Sequence, residues 1–482
     1  MLRGTAAPGV PGWGLAGRGR RGKDSMKRSL APPGWASRSP FALWRDPIGF
    51  LQALAADGDR AHFRLGPYRA VLLTQSQDIE RVLLTDRRNF VKDARIKHTR
   101  TLIGNGLINS EGAEHLRNRL LVQPAFRPSR LVTYAGAMAD EAALFCDDWA
   151  DGATVDAGRQ LSALTLRIVG RVIFGADVSA DSEKVFDTLT AVLKRFGMVA
   201  VPFSEALSRL PMPGFSALRE AQDRLNARAY TVIRERRASI AGSEGDDQAP
   251  DLLTSLLMAR GEDGAGLGDE EVHDEAMTVF LAGHETTATA LAWCCYLLAR
   301  RPDAQRRVAS EVDAVCGGGV PCFEHVSRLK YTQAVFMEAL RLYPPIWLMA
   351  RSAEAAYAFP SGIAVRAGTL VVVSPLVQQT HPAYWQAPRE FRPERWETQS
   401  QSPPPRYAYV PFGAGPRACV GEHFANLEAM LILATIFSRW TLTTVTDAEI
   451  AADPLITLRP RTPIILRLSA RGRGRGPDLP FA

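Results

Sequence analysis

Apolar residues recur at helical spacing through most of this chain and at strand spacing only in short pieces. "DPIGFLQALAADGD" predicts a short helix. "AHFRLGPYRAVLLT" predicts two short strands around a Gly-Pro turn. "SQDIERVLLTD" predicts a helix capped by its serine, and "EGAEHLRNRLLVQPAF" a helix stopped near Pro124. Residues 129–176 and 181–198 carry helical periodicity. "SRLPMPGF" breaks the pattern, and the helix after it runs to about Ile240. A polar loop, "AGSEGDDQAP", precedes a very long helix from about Asp269 to Arg300. "SRLKYTQAVFMEALRLY" reads as a helix ended by Pro344 and Pro345. Residues 346–375 alternate between glycine punctuation and β-branched residues and predict short strands. The last third is loop, one helix and a small β element near 455–468. There is no internal repeat. The fold class predicted is mostly α with a small β subdomain, in one structural unit over residues 40–468.

Composition changes this picture only at the ends. The 482 residues are 46% hydrophobic and 23% charged, ordinary for a globular protein. Much of the net +7 sits in "RGRGRRGKDSMKR" and "RGRGRG". Residues 1–39 and 469–482 therefore read as disordered basic tails, not as a nucleic-acid surface. Met26 is a second candidate start. Six scattered cysteines without a repeated CxxC pair fit a reducing compartment, and Cys316 and Cys322 could meet. No run of about twenty apolar residues exists to span a bilayer, and the N-terminal arginines lack an apolar stretch behind them. The expectation is a cytoplasmic protein, monomeric and without a membrane anchor.

The chemistry begins at "YVPFGAGPRACVGEHFANLEAMLILATIF", Tyr409 to Phe437. Cys419 stands before a helix, where unpaired N–H groups and the helix dipole favour thiolate. Gly413, Gly415 and Gly421 permit close backbone approach and left-handed conformations. No histidine base is identifiable, so the thiolate suits a metal better than a nucleophilic role. Upstream, Glu338 and Arg341 in "EALR" share a helical face and can pair, and "FRPERW" supplies Arg395 as a third partner. In "FLAGHETTATALAW", Ala282 and Gly283 remove bulk from one helix face. Glu285 sits beside Thr286, whose hydroxyl can bond back to a carbonyl and bend the helix. In "EHLRNR", His115 and Arg119 are four apart on one face.

Phe412, Gly413, Gly415, Arg417, Cys419 and Gly421 make the string FxxGxRxCxG, which resembles the haem-binding loop of the cytochrome P450 superfamily. The order HxxxR, AGxET, ExxR, PERW and FxxGxRxCxG agrees with that family from about Pro40 to Leu468, and the missing anchor resembles its soluble bacterial type. The resemblance implies haem b with Cys419 as axial iron ligand. Cofactor contacts are implied from His115, Arg119, Arg351, Phe412, Gly413, Arg417 and Gly421. It implies that Glu285 and Thr286 serve proton delivery during oxygen activation, and that Glu338, Arg341 and Arg395 hold the cysteine loop in register. The activity implied is insertion of one oxygen atom from O2 into an apolar small molecule. Electrons would come from NAD(P)H through a separate ferredoxin or flavodoxin and its reductase, because the chain has no flavin or iron–sulfur motif. Substrate contacts are expected from Ala282, Gly283, Thr287, Ile346, Trp347 and Leu348 and from the loop between Ile96 and Ile108. A mobile lid is expected over "GMVAVPFSEALSRLPMPGF". Peroxygenase or isomerase chemistry on the same haem, and a non-catalytic haem sensor, are the alternative readings.

Overall fold

The computed structural model describes residues 40–57, 61–92, 104–175, 215–242, 251–261, 264–397 and 404–472. The longer helices are α1 (Pro47–Ala56), α2 (Gly112–Val122), α3 (Pro128–Asp147), α4 (Ala157–Phe174), α5 (Phe215–Gly242), α6 (Leu252–Met258), α7 (Asp269–Ala299), α8 (Pro302–Cys316), α9 (Lys330–Leu342) and α10 (Glu422–Arg439). The strands are β1 (Ala61–Leu65), β2 (Tyr68–Leu73), β3 (Phe90–Lys92), β4 (Thr154–Asp156), β5 (Met349–Ala353), β6 (Tyr357–Ala358), β7 (Ala364–Val365), β8 (Leu370–Val373), β9 (Trp440–Thr444), β10 (Ala452–Pro454), β11 (Leu458–Pro460) and β12 (Ile465–Ala470).

Helix α7 is the axis of the molecule. Asp269, Glu270 and Glu271 fill its first turn, where the helix dipole favours acids, and Glu271 accepts from the Gly268 N–H. From Thr287 to Ala299 every residue is buried, because α4, α9 and α10 cover it on different sides. A helix with no polar stripe over that length can only be core. Trp293 stacks on Tyr343 at 3.9 Å and donates to the Leu458 carbonyl, tying the helical core to the β subdomain. The five-stranded sheet has the order β1-β2-β8-β5-β3. Its β2 and β8 run parallel, and its register sets Lys92 opposite Arg351. A second sheet, β4-β12-β9, closes the C-terminal end.

The hairpin, the long helix and the helix ending before Pro344 fall where the pattern put them. Three details differ. The helical stretch 129–176 is interrupted: Gly152 takes a left-handed turn (φ 76°), and Thr154–Asp156 pairs with β12 instead of continuing the helix. Asp156 then caps α4 by accepting from Gly158 and Arg159. Ser76 does not cap its helix; Gln75 occupies that position without a side-chain bond, and the segment passes into a π-turn at Arg81–Thr85. Strand β12 runs through Ala470, so pairing continues past the expected boundary at Leu468. The expected helix 181–198, the lid up to its last residue, Phe215, and most of both tails lie outside the described residues.

Candidate functional site

Between α7 and the cysteine loop lies a cavity of about 410 Å³. The loop's shape follows from its glycines. Gly413 (φ 71°) and Gly415 (φ 68°) are left-handed, a conformation costly for other residues. At Gly415 a Cβ would stand 2.1 Å from the Leu83 carbonyl oxygen, so this glycine serves packing against the Arg81–Thr85 turn. At Gly421 a Cβ would stand 3.9 Å from the Cys419 sulfur. The loop closes on itself where the Cys419 N–H donates to the Phe412 carbonyl (2.9 Å). Cys419 lines the cavity three residues before α10. Its sulfur is open to the cavity while protein surrounds it on the other sides. Burial pushes the thiol up, and the Gly421 N–H pulls the other way. The helix end alone therefore does not produce the expected thiolate; a bound metal ion would deprotonate the thiol outright.

On the rim, cations outnumber anions. His115 and Arg119 from α2, Arg351 from β5 and Arg417 from the loop all line the cavity, as does Lys92 from β3. Arg119 donates to the Ala418 carbonyl (2.8 Å), and Arg417 to the Ser110 carbonyl (2.8 Å) and the Glu111 carboxylate (2.6 Å). Burial, with Arg417, Lys92 and Arg119 nearby, holds His115 down to about 3. Burial and Arg417 bring Lys92 down to about 7 and lower Arg351 as well. Among the described residues, Glu111 is the acid that pairs in this group. Buried cations in excess are costly unless anions join them. Two carboxylates entering from the cavity would meet that need, so the residues fit a haem: the rim cations would hold its propionates and Cys419 its iron. Lys92 carried no signal in the sequence: its partner strand β5 lies some 260 residues away, and only the β3–β5 register brings it beside Arg351.

The opposite wall is apolar and comes largely from α7. Ala282, Gly283, Thr286 and Thr287 line it, together with Ile346, Leu107 and Ile108. Ile96 lies outside the described residues. At Gly283 the bare backbone admits Val169 of α4, 3.4 Å from where a Cβ would stand. Thr286 Oγ1 donates back to the Ala282 carbonyl (2.6 Å), yet α7 continues unbroken from Asp269 to Ala299. Trp347 does not line the cavity: its indole donates to the Leu455 carbonyl (2.8 Å), and the ring packs with Leu51, Leu54 and Leu72. Leu348 packs on the same apolar layer. Glu285 does not reach the cavity either. Its Oε1 accepts from Arg459 (2.6 Å), Thr457 (2.9 Å) and Thr289 (3.5 Å). For Glu285 to serve the cavity, its side chain has to leave Arg459.

Glu338 and Arg341 are fully buried and form a two-pronged ion pair, with both contacts at 2.8 Å. Glu338 also accepts from Arg395 (3.0 Å), the Arg392 N–H (2.9 Å) and the Trp396 indole (2.9 Å). Arg341 donates to the carbonyls of Gln379, Pro388 and Glu390. Gln379 in turn accepts from the Val410 N–H (3.0 Å), where the cysteine loop begins. The network thus reaches that loop through one glutamine.

Fold and thiol-bearing loop together define a haem-thiolate protein. The chain belongs to the cytochrome P450 family, whose model, "Cytochrome P450", matches residues 50–467. It is 35% identical to cyclooctatin synthase of Streptomyces melanosporofaciens, over 89% of this chain and 94% of that protein. It is likewise 35% identical to pentalenene oxygenase of Streptomyces avermitilis (90% and 95%). It is 36% identical to cyclooctat-9-en-7-ol 5-monooxygenase of Streptomyces melanosporofaciens (88% and 93%). The crystal structure of the cytochrome P450DA heme domain superposes with a TM-score of 0.81 at 26% identity, covering 92% of this chain and 97% of that one. The protein is thus a P450 monooxygenase, an oxidoreductase with a haem-thiolate cofactor that takes a small-molecule substrate and needs a redox partner. Among the described residues no helix is long and apolar enough to cross a membrane.

Proposed function

We propose that this enzyme inserts one oxygen atom from O2 into a hydrocarbon-like molecule, using haem b and electrons passed from NAD(P)H by a separate ferredoxin or flavodoxin. The observation that carries this reading is one cavity with a thiol at its floor, an excess of cations on its rim and an apolar wall opposite. The haem, when bound, supplies the oxygen chemistry, with Cys419 as donor to its iron. His115, Arg119, Arg351, Arg417 and Lys92 hold its carboxylates. Phe412, Gly413 and Gly421 face it from the loop. Ala282, Gly283, Ile346 and Leu107 exclude water and accept an apolar substrate, in keeping with the alkene and alkenol in the relatives' names. The proton of the Thr286 hydroxyl goes to Ala282, so its lone pairs are free to hold a water molecule at the cavity. Glu338, Arg341 and Arg395 set the height of the cysteine loop.

A panel of cyclic alkenes and alkenols tests the substrate class: members that fit are expected to shift the haem from low to high spin. A preference for charged or strongly polar molecules instead would contradict it. Thr286→Ala is expected to keep the haem and keep consuming NAD(P)H, with hydrogen peroxide rising several-fold at the expense of product. Unchanged coupling would remove Thr286 from proton delivery.

Lys92 makes haem acquisition depend on pH. Without the carboxylates it titrates near 7; an ion pair with a propionate would raise that value. Below pH 7 the lysine is charged before and after binding, and affinity is level. Above pH 7 the empty protein has to take up a proton to bind, so affinity falls as pH rises. Calorimetry of haem binding in buffers of different ionisation enthalpy reads this proton directly. Lys92→Met is expected to bind more weakly and without the proton uptake; uptake that persists in the variant would assign it elsewhere.

A further inference from the structure

The loop of residues 104–110 brings Leu107 and Ile108 to the cavity wall, and it lies with bare backbone against the first half of α7. A Cβ on Gly104 would stand 1.9 Å from Asp274 Oδ1. One on Gly106 would stand 2.3 Å from Thr278 Oγ1 and 2.6 Å from the Asp274 carbonyl oxygen. Two adjacent acids of α7 hold the loop in place. Asp274 accepts from the Asn105 N–H (2.6 Å). Glu275, 1% exposed, accepts from the Leu107 N–H with one oxygen (3.0 Å) and from the Asn118 side-chain amide of α2 with the other (3.0 Å). On the far side of Leu107, its carbonyl and that of Ile108 accept from the Lys92 ammonium of β3. Leu107 is thus gripped through its N–H by α7 and through its carbonyl by β3. An ammonium has three N–H groups, so one is left for a haem carboxylate at the rim. Neither acid is itself part of the cavity wall; Thr278 and Val279, one turn further along α7, are.

We propose that Glu275 is a specificity-determining positioning residue: with Asp274 it seats the loop on α7 and so fixes how far Leu107 and Ile108 reach over the cavity, which selects apolar ligands by length. The inference rests on the reading of this cavity as the haem and substrate site, and names what limits that site. Glu275 touches neither substrate nor haem and acts through the Leu107 backbone. Hydrogen bonding carries the effect, not net charge. Burial takes the carboxyl up to about 7, while the Leu107 and Asn118 donors draw it back, so both protonation states are populated near neutral pH. Either state has an oxygen that accepts from Leu107. Asn118 Oδ1 has no partner among the described residues, so the Asn118 amide is able to turn over and accept a proton donor at position 275. With the α7 grip removed, Lys92 holds Leu107 from one side only, and Gly106 offers no side chain to keep the loop down.

The test uses the haem-loaded enzyme and a series of 1-alkylimidazoles. The ring nitrogen ligates iron alike along the series, and the alkyl chain reads the apolar wall. In the wild type, affinity followed by the Soret shift is expected to rise up to about four-fold per buried methylene from 1-methyl- to 1-hexylimidazole. Glu275→Leu is expected to bind 1-methylimidazole as the wild type does. Its hexyl-to-methyl affinity ratio should fall roughly ten-fold, the equivalent of one to two methylenes left unburied. Gly106→Ala leaves Glu275 in place but pushes the loop off Thr278 and the Asp274 carbonyl. It is expected to lower the ratio in the same way, and it decides the matter should Glu275→Leu not fold. Glu275→Gln keeps an acceptor for Leu107 and is expected to retain the wild-type ratio. An unchanged ratio in Glu275→Leu or in Gly106→Ala would overturn the proposal, and so would a Glu275→Gln ratio as low as that of Glu275→Leu. The carbon monoxide spectrum is recorded on each sample. A wild type without the band of a thiolate-ligated haem would fault the monooxygenase reading instead, so the two failures stay apart.

Discussion

Arg341→Ala is expected to give no stable haem-loaded protein. The guanidinium is fully buried and makes two contacts to Glu338 and three to backbone carbonyls. Truncation removes all five at once. The three carbonyls then have no donor, and Glu338 loses its main counter-charge in an interior where water cannot replace it. Breaking a buried ion pair from one side costs roughly 3–5 kcal/mol, against a total stability of about 5–15 kcal/mol for a native protein. The damage also travels. Gln379, whose carbonyl accepts from Arg341, holds the Val410 N–H at the start of the cysteine loop. A displaced loop carries Cys419 with it, so haem retention should suffer beyond the loss of thermal stability. Glu338→Ala is expected to behave alike, since it strips partners from Arg341, Arg395, Trp396 and the Arg392 N–H together. The measurement is the yield of haem-loaded protein and its unfolding midpoint. Soluble Arg341→Ala with full haem content and the wild-type midpoint would show that the buried pair neither stabilises the fold nor holds the cysteine loop.

What the sequence disclosed about this fold was whatever depends on near neighbours. The hairpin at residues 61–73, the length of α7, and the stop before Pro344 each rest on periodicity or on a proline within a few positions. The ExxR pair was legible because residues three apart share a helical face. Arg395 was legible because the family pattern names it. Contacts that depend on distant pairing were not legible. Lys92 enters the rim through a β3–β5 register. Glu285 turns toward Arg459, 174 positions on, and its neighbour Thr286 faces the cavity, since successive helical residues point about 100° apart. Trp347, expected among the substrate contacts, gives its indole N–H to a carbonyl in the C-terminal segment instead. Gly415 makes its close approach to the Leu83 carbonyl, a partner more than 300 residues away that the loop's own pattern does not name. Glu428 drew no notice, because a glutamate in "NLEAML" normally marks the wet side of a helix and here is wholly enclosed.

The largest chemical effect is expected at Cys419. Cys146, Cys294, Cys295 and Cys316 are buried away from the cavity, and Cys322 sits beside His325 (3.3 Å) on a short helix elsewhere. Burial pushes Cys146 and Cys295 up to about 12, so neither is a ready thiolate. Among the described residues no cluster of three or more histidines, cysteines and acids offers a metal another seat. Cys419 alone joins an open sulfur, the Gly421 N–H and a rim of cations fit for a haem's carboxylates. Cys419→Ala removes the sulfur without touching Arg417, Arg119 or the ion-pair network, so the chain should fold and retain the fold's cavity while iron loses its thiolate. The direct test is the carbon monoxide spectrum of the reduced protein, compared among wild type, Cys419→Ala and Cys316→Ala. Wild type and Cys316→Ala are expected to display the red-shifted Soret band of a thiolate-ligated haem, and Cys419→Ala to lack it; a band that survives in Cys419→Ala and vanishes in Cys316→Ala would contradict the assignment.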